Sequence, residues 1–308
     1  MFGLNEIVGK KWFREKPQAT EGMLFVTSMF MTLQGEGPYR GEPAFFIRLA
    51  KCNLVCSFCD TFFDDGDWLT FDQIEERVES AIEQFYLDKG VVRPEWTQYR
   101  PEPWFAADGF RNPEDRPHKR KMVLVMTGGE PMLQENMGPF LERMSLSFAK
   151  TQIESNGTQA TWIPESTTLV CSPKCLEKNG KPIKYLEPRK EVLERADCLK
   201  FVMSAEVDSP YNVVPDWAHK WAETTGREIY CSPMNIYNDV PAASKKQRAL
   251  NNGITLEERS TVDEVISFWE KGLLNMDENQ KNHEYTAMYC VTHGFILNLQ
   301  IHLLASLA

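Results

Sequence analysis

Short apolar runs rich in β-branched and aromatic residues alternate along the chain with longer segments in which apolar positions recur at helical spacing. The apolar runs end in polar residues or glycine, as expected for buried strands that close on turns. The predicted strands are residues 44–49, 122–126, 151–154, 168–171, 198–203 and 228–231. The predicted helices are residues 71–87, 137–148, 188–195, 215–224 and 256–271.

This alternation of strands and helices predicts an α/β fold with a parallel sheet. In such sheets the groups that bind ligands and catalyse reactions lie at the carboxyl ends of the strands. The residues of unusual chemistry in this chain follow the ends of predicted strands. We therefore expect the functional site at that edge of the sheet.

Two segments interrupt the alternation. Residues 91–121 contain five prolines and two tryptophans, and residues 235–253 are polar with a short basic stretch. Strand-like sequence resumes after each of them, so both are predicted to be irregular insertions rather than linkers between domains. The chain is thus predicted to form a single domain over residues 1–308, with an N-terminal extension at residues 1–22.

Composition narrows the classes of function. The chain has 308 residues, 42% of them hydrophobic, with 34 basic and 44 acidic side chains and a net charge of −10. The acidic balance argues against direct binding of nucleic acid through a broad basic face, because neutralising phosphates requires clustered Lys and Arg. Residues 1–16 lack an apolar stretch of signal-peptide length, and the apolar run at residues 295–308 is broken by polar residues. We expect a cytoplasmic protein without a membrane span.

Three of the eight cysteines, Cys52, Cys56 and Cys59, lie close together after the predicted strand 44–49. In a reducing compartment such spacing indicates metal binding or catalysis rather than a disulfide framework. Three thiolates on one tight loop can hold three corners of a cuboidal iron–sulfur cluster and leave the fourth iron open. A structural zinc site would need a fourth ligand at close spacing. We predict a 4Fe–4S cluster, with zinc as the alternative.

A second motif, Gly128-Gly129-Glu130-Pro131, follows the predicted strand 122–126. Glycines at a strand end let the backbone approach a ligand closely, and the carboxylate can accept hydrogen bonds from a cationic amine. Together with the cysteines, this motif resembles the radical S-adenosylmethionine (SAM) superfamily. There the open iron chelates the amino and carboxylate groups of SAM. The resemblance implies a partial (β/α) barrel.

Within that superfamily the chain is similar to the 7-carboxy-7-deazaguanine synthase family. Blocks that match the family, in its order, lie at residues 32–37, 41–49, 59–61, 127–131, 154–158, 172–174 and 299–302. The resemblance implies a lyase that contracts the ring of 6-carboxy-5,6,7,8-tetrahydropterin to 7-carboxy-7-deazaguanine with loss of ammonia. It also implies a place in queuosine and deazapurine biosynthesis.

The resemblance implies a set of residues that bind the pterin substrate. These are Leu33, Gln34, Gly35, Arg48, Thr127 and Ala308. An amide with exposed backbone suits the donor and acceptor edge of a pterin, although a simple hairpin turn at residues 33–35 is the plainer interpretation. A planar guanidinium suits a substrate carboxylate, and its plainer interpretation is a surface arginine at a strand end.

A second implied set binds SAM and metals. The SAM contacts are Phe58, Cys59, Asp60, Gly129, Glu130, Ser172, Pro173 and Lys174. Phe58 occupies the position of an aromatic residue near the adenine. The cluster ligands are the three cysteines, and Thr61 is implied as a ligand of Mg²⁺, a hard cation that prefers oxygen.

Two departures from the family pattern stand out. The segment Cys231-Ser232-Pro233-Met234 keeps a proline that relatives carry but lacks the glutamine that precedes it in them. The sequence therefore does not define which residues of this segment contact SAM. The extension and the two insertions have no counterpart in the family pattern, and are a lid, a partner surface or solvated decoration. The resemblance further implies a homodimer and a reductant such as flavodoxin or ferredoxin.

Two other hypotheses remain open from the sequence. One is a radical SAM enzyme with another substrate, such as an activase of a glycyl-radical enzyme, against which the blocks at residues 33–35, Thr61 and 300–308 argue. The other is a cysteine-bound zinc module that acts by binding through the segment rich in proline and tryptophan. Iron and sulfide near four per chain would exclude the zinc module.

Overall fold

The computed structural model describes residues 20–54, 56–100, 118–238 and 274–305. Several predictions therefore lie outside the described residues. These are the substrate contact at Ala308, the helix at residues 256–271, and most of the extension and of the two insertions. Among the helices that these ranges contain, none is both long and apolar enough to cross a membrane.

One large sheet organises the described residues. Its strands are β1 (Met23–Leu33), β2 (Pro43–Leu49), β3 (Asp67–Thr70), β4 (Arg120–Gly128), β5 (Phe148–Ser155), β6 (Thr167–Cys171), β9 (Cys198–Met203), β10 (Ile229–Pro233) and β11 (Ile296–Leu297). A separate hairpin pairs β7 (Cys175–Lys178) with β8 (Lys181–Tyr185). The helices are α1 (Phe71–Asp88), α2 (Met137–Met144), α3 (Lys190–Arg195), α4 (Asp216–Thr225), α5 (Met276–His293) and α6 (Ile301–Ala305).

The sheet has the order β11-β10-β9-β6-β5-β4-β2-β1-β3. All neighbours from β2 to β11 pair in parallel, whereas β1 is antiparallel to both β2 and β3. Helices lie between consecutive parallel strands in most connections, and the two end strands β11 and β3 do not pair with each other. The α/β class and the partial barrel predicted from the sequence are confirmed.

Helix α1 shows how local sequence sets these elements. It begins with a capping box, in which the Thr70 side chain accepts a hydrogen bond from the Gln73 backbone and the Gln73 side chain accepts one from the Thr70 backbone. Ile74, Val78 and Ile82 recur every four residues and are fully buried. This apolar stripe faces the sheet and contacts β1.

The six predicted strands all form, with small differences in their bounds. Strand β4 begins at Arg120, so the prediction that residues 91–121 are irregular is wrong for the last two of them. Arg120 is held there because its guanidinium forms an ion pair of 2.6 Å with Glu79 on α1. Helix α2 ends at Met144 rather than at residue 148, because Phe148 starts β5.

Helix α5 was missed from the sequence. Of its four buried residues, Asn279, Asn282 and Thr286 are polar and Cys290 joins the core, while Met288 is 63% exposed. The two buried side-chain amides form hydrogen bonds with the backbone that follows β10. Asn279 donates to the Ile236 carbonyl, and Asn282 donates to the Met234 carbonyl at 2.8 Å. A helix held by side-chain amides has no apolar stripe for a periodicity analysis to detect.

Candidate active site

A cavity of about 230 Å³ opens at the carboxyl ends of the parallel strands, the edge at which the sequence predicts the site. Its wall is built from residues within or just after β1, β2, β4, β5, β6, β9 and β10 and from α6. Most predicted site residues line it: Gln34, Arg48, Cys52, Cys56, Phe58, Cys59, Asp60, Thr61, Thr127, Gly129, Ser172 and Lys174. Residues predicted to bind the substrate, SAM and the metals therefore line one cavity.

Four predicted contacts that the structure describes do not line the cavity: Leu33, Gly35, Glu130 and Pro173. Gly35 packs behind the wall, where a Cβ atom would overlap the His302 ring and lie 3.3 Å from Cα of Gln300. Gln300 and His302 line the cavity in its place. The hairpin that forms between β1 and β2 holds this region, since the Gln34 amide donates to the Glu42 carbonyl at 2.8 Å.

The cysteine loop, residues 52–59, begins where β2 and β4 end side by side. The Lys51 backbone amide donates to the Phe63 carbonyl, and the Lys51 carbonyl accepts a hydrogen bond of 2.8 Å from the Glu130 amide. Within the loop the Cys59 amide donates to the Cys56 carbonyl at 3.1 Å. The three cysteines are half-buried and face the cavity.

Burial controls the protonation of these thiols. It raises the pKa of Cys52 to about 11 and that of Cys56 to about 12, and it raises the pKa of Cys59 well above its usual value. The nearby Lys174 ammonium opposes this rise at Cys52 and Cys56. Among the described residues no three His, Cys, Asp or Glu side chains are gathered as closely as a single metal ion requires.

Glu130 lies behind the wall and is fully buried. Burial raises the pKa of its carboxyl group, while three hydrogen bonds oppose the rise. The carboxylate accepts from the Ser155 hydroxyl at 2.8 Å, from the Asn156 amide at 2.7 Å and from the Met132 amide at 3.0 Å. Both carboxylate oxygens of Glu130 accept hydrogen bonds from other residues of the protein. Glu130 therefore holds Ser155 and Asn156 in position, and these two residues line the cavity.

Lys200 forms a charged group that the sequence analysis missed. Its ammonium contacts the carboxylates of Glu36 and Glu154, the latter at 3.1 Å, and its side chain is only 7% exposed. Burial lowers the pKa of Lys200, but the two carboxylates outweigh burial and raise it. The Gln34 side-chain amide also donates to Glu154, at 3.2 Å. A lysine within an apolar parallel strand was the available signal, because such a charge needs partners.

The wall of the cavity also carries Arg48, Asp60, Thr61 and His302. The Arg48 guanidinium lies 4.8 Å from the centre of the Phe30 ring, and the Thr61 hydroxyl donates to the Asp60 carboxylate at 3.2 Å. Burial lowers the pKa of His302, which favours the neutral imidazole. Its buried Nδ1 has no hydrogen-bond partner within the described part of the chain. His302 is a second residue absent from the predicted contacts.

We expect Gly129→Ala to lower the iron content of the purified protein. A Cβ atom at this position would overlap the Lys51 carbonyl and lie 3.0 Å from the Cys52 nitrogen, so the cysteine loop must shift. Iron per chain after anaerobic reconstitution measures the effect. Gly138→Ala is the matched control, because its Cβ would overlap Trp162 and neither residue lines the cavity. Equal iron loss in both variants would contradict a local effect on the loop.

Comparison with known proteins adds independent information. No protein-family model matches the chain. The 7-carboxy-7-deazaguanine synthase of Rickettsia prowazekii is 32% identical over 229 residues, which cover 74% of this chain and 77% of that protein. The 7-carboxy-7-deazaguanine synthase of Rhodospirillum rubrum is 31% identical over 218 residues, covering 70% and 71%. The crystal structure of QueE from Escherichia coli covers 90% of this chain and 93% of that chain, at 18% identity and a TM-score of 0.49.

Proposed function

Because the chain belongs to the 7-carboxy-7-deazaguanine synthase family, we propose that its cavity converts 6-carboxy-5,6,7,8-tetrahydropterin to 7-carboxy-7-deazaguanine with loss of ammonia. This is a lyase reaction within queuosine and deazapurine biosynthesis. The proposal rests on one observation. Three thiols and a set of charged and amide side chains line the same cavity. Family membership favours this function over the activase and the zinc module.

The three thiols fit a 4Fe–4S cluster with one open iron. They are half-buried and face one cavity, and the nearby Lys174 partly offsets the rise in pKa that burial causes at Cys52 and Cys56. When bound, the cluster and SAM together supply an organic radical that removes a hydrogen atom from the substrate. We propose that Phe58, Asp60, Gly129, Ser172 and Lys174 hold SAM, with Glu130 acting through Ser155 and Asn156.

The substrate is proposed to lie against the charged wall. Arg48 suits the substrate carboxylate, because a guanidinium can donate two parallel hydrogen bonds to it. Gln34, Thr127 and Glu154 suit the polar edge of the pterin, and the Gln34 amide is held in position by its bonds to Glu154 and the Glu36 backbone. These groups would place one C–H bond next to the radical and exclude water.

Thr61 is proposed to ligate Mg²⁺, and we expect Thr61→Val to weaken Mg²⁺ activation while preserving iron content. Even an outer partner of a metal ligand contributes about 10- to 100-fold to metal affinity, so the loss of a ligand oxygen should cost at least as much. Turnover across a Mg²⁺ titration measures the shift, with iron per chain determined on the same samples.

The matched control for that titration is Thr292→Val, an exposed position on α5. Its hydroxyl donates only to the Met288 carbonyl of the same helix. Identical Mg²⁺ dependence in Thr61→Val and in the unmodified protein would overturn the ligand role.

The function is tested by incubating anaerobically reconstituted, dithionite-reduced protein with the carboxy-tetrahydropterin, SAM and Mg²⁺. Mass spectrometry should detect 7-carboxy-7-deazaguanine, and none when SAM is omitted. If 5′-deoxyadenosine accumulates without the deazaguanine, another radical SAM reaction is indicated. We also propose a homodimer, which light scattering of the purified protein would test, and an electron-carrier protein as reductant.

A further inference from the structure

The β7–β8 hairpin carries positive charge on an acidic protein. Lys178, Lys181 and Lys184 are all exposed, although the chain has a net charge of −10. Leu176 and Ile183 on the same hairpin are 43% and 51% exposed. The hairpin therefore presents apolar side chains surrounded by cations, a composition typical of a contact surface.

The pairing of the two strands leaves these cations without internal partners. Lys178 lies opposite Lys181, and Leu176 lies opposite Lys184. Like charges opposite each other destabilise a strand pair. Within the described part of the chain none of the three ammonium groups has a carboxylate at ion-pair distance. A negatively charged partner would relieve the repulsion.

The hairpin is attached directly to the cysteine loop. Glu177 on β7 accepts a hydrogen bond of 2.8 Å from the Ser57 amide, between Cys56 and Cys59. The Cys175 amide donates to the Tyr211 hydroxyl at 2.9 Å, and the Tyr211 ring packs edge-on against Phe58 at 5.2 Å. The inner side of the hairpin thus supports the loop while its outer side faces solvent.

We propose that the outer face of the β7–β8 hairpin is the docking surface for an acidic flavodoxin that reduces the cluster. The proposal rests on the proposed function, which requires a reduced cluster. The flavodoxin loses one electron and the oxidised cluster gains it, and no covalent bond forms or breaks. Transfer slows steeply with distance, so the carrier has to dock beside residues 52–59, and the hairpin is the cationic surface attached to them. Complementary charge would also steer the encounter.

The test combines binding with turnover. The variant Lys178→Glu, Lys181→Glu, Lys184→Glu reverses the hairpin charge. The control Lys89→Glu, Lys121→Glu, Lys220→Glu makes the same change in net charge at exposed positions after α1, in β4 and in α4. The dissociation constant for purified flavodoxin is measured by biolayer interferometry at low and high salt. Turnover is then measured with flavodoxin and its NADPH-dependent reductase, and separately with dithionite.

We expect the unmodified protein and the control to bind flavodoxin with salt-sensitive affinity, and the hairpin variant to bind about tenfold more weakly or worse. Flavodoxin-driven turnover should fall in the hairpin variant alone, while dithionite-driven turnover should stay equal in all three proteins. Equal binding of flavodoxin by the hairpin variant and the control would overturn the docking proposal. Absence of product from the unmodified protein with dithionite would instead count against the proposed function, and the binding constants would still test the surface.

Discussion

Replacing Cys56 with alanine is expected to remove both the cluster and the activity. The loop supplies three thiols to the cavity, and none of the five buried cysteines of the described residues lines its wall. Iron and sulfide should fall from about four per chain toward zero, because a cuboidal cluster with two protein ligands is poorly held. Product formation should fall below detection.

The matched control for this variant is Cys198→Ala. Cys198 is 1% exposed, packs beside Val170 and Tyr230, and does not line the cavity. We expect it to keep its iron and most of its turnover while its melting temperature falls modestly, because a small buried cavity is created. A brown, fully active Cys56→Ala protein would refute the assignment of the loop.

Replacing Lys200 with methionine is expected to cost both stability and turnover. The side chains of Glu36 and Glu154 are each 12% exposed, and the substitution leaves them facing each other without their shared cation. Breaking a buried ion pair in this way costs about 3–5 kcal/mol of unfolding free energy. Turnover should fall as well, because the carboxylates that form the charged wall no longer keep their positions. Urea unfolding and the product assay measure the two effects.

Two comparisons separate stability from function at Lys200. Lys150→Met removes an exposed partner of Glu42, at 2.6 Å, and should cost no more than about 1 kcal/mol. Combining Lys200→Met with Glu36→Gln and Glu154→Gln removes the unpaired charges, so stability should recover while turnover stays low. Recovery of turnover in that triple variant would show that the charges at this wall serve only the fold.

The fold class and the loop of three cysteines were accessible from the sequence for related reasons. Strand and helix periods are local, and the three cysteines are spaced within one loop. Gly129, Ser172 and Lys174, which the family resemblance implied as SAM contacts, each follow the carboxyl end of a strand and line the cavity. Helix α5 was not predicted, because most of its buried positions are polar. The Glu130 carboxylate accepts its hydrogen bonds behind the wall, which no local pattern indicates.

What the sequence determined by itself was therefore the α/β alternation, the cysteine loop and the motifs that follow strand ends, because each of these is encoded within a few neighbouring residues. Tertiary structure alone decided the contacts between distant residues. Lys200 meets Glu36 across 164 positions of sequence and Glu154 across 46, and Glu177 of the hairpin meets Ser57 across 120. None of these three contacts is visible in local spacing, since each depends on which distant segments become neighbours when the chain folds.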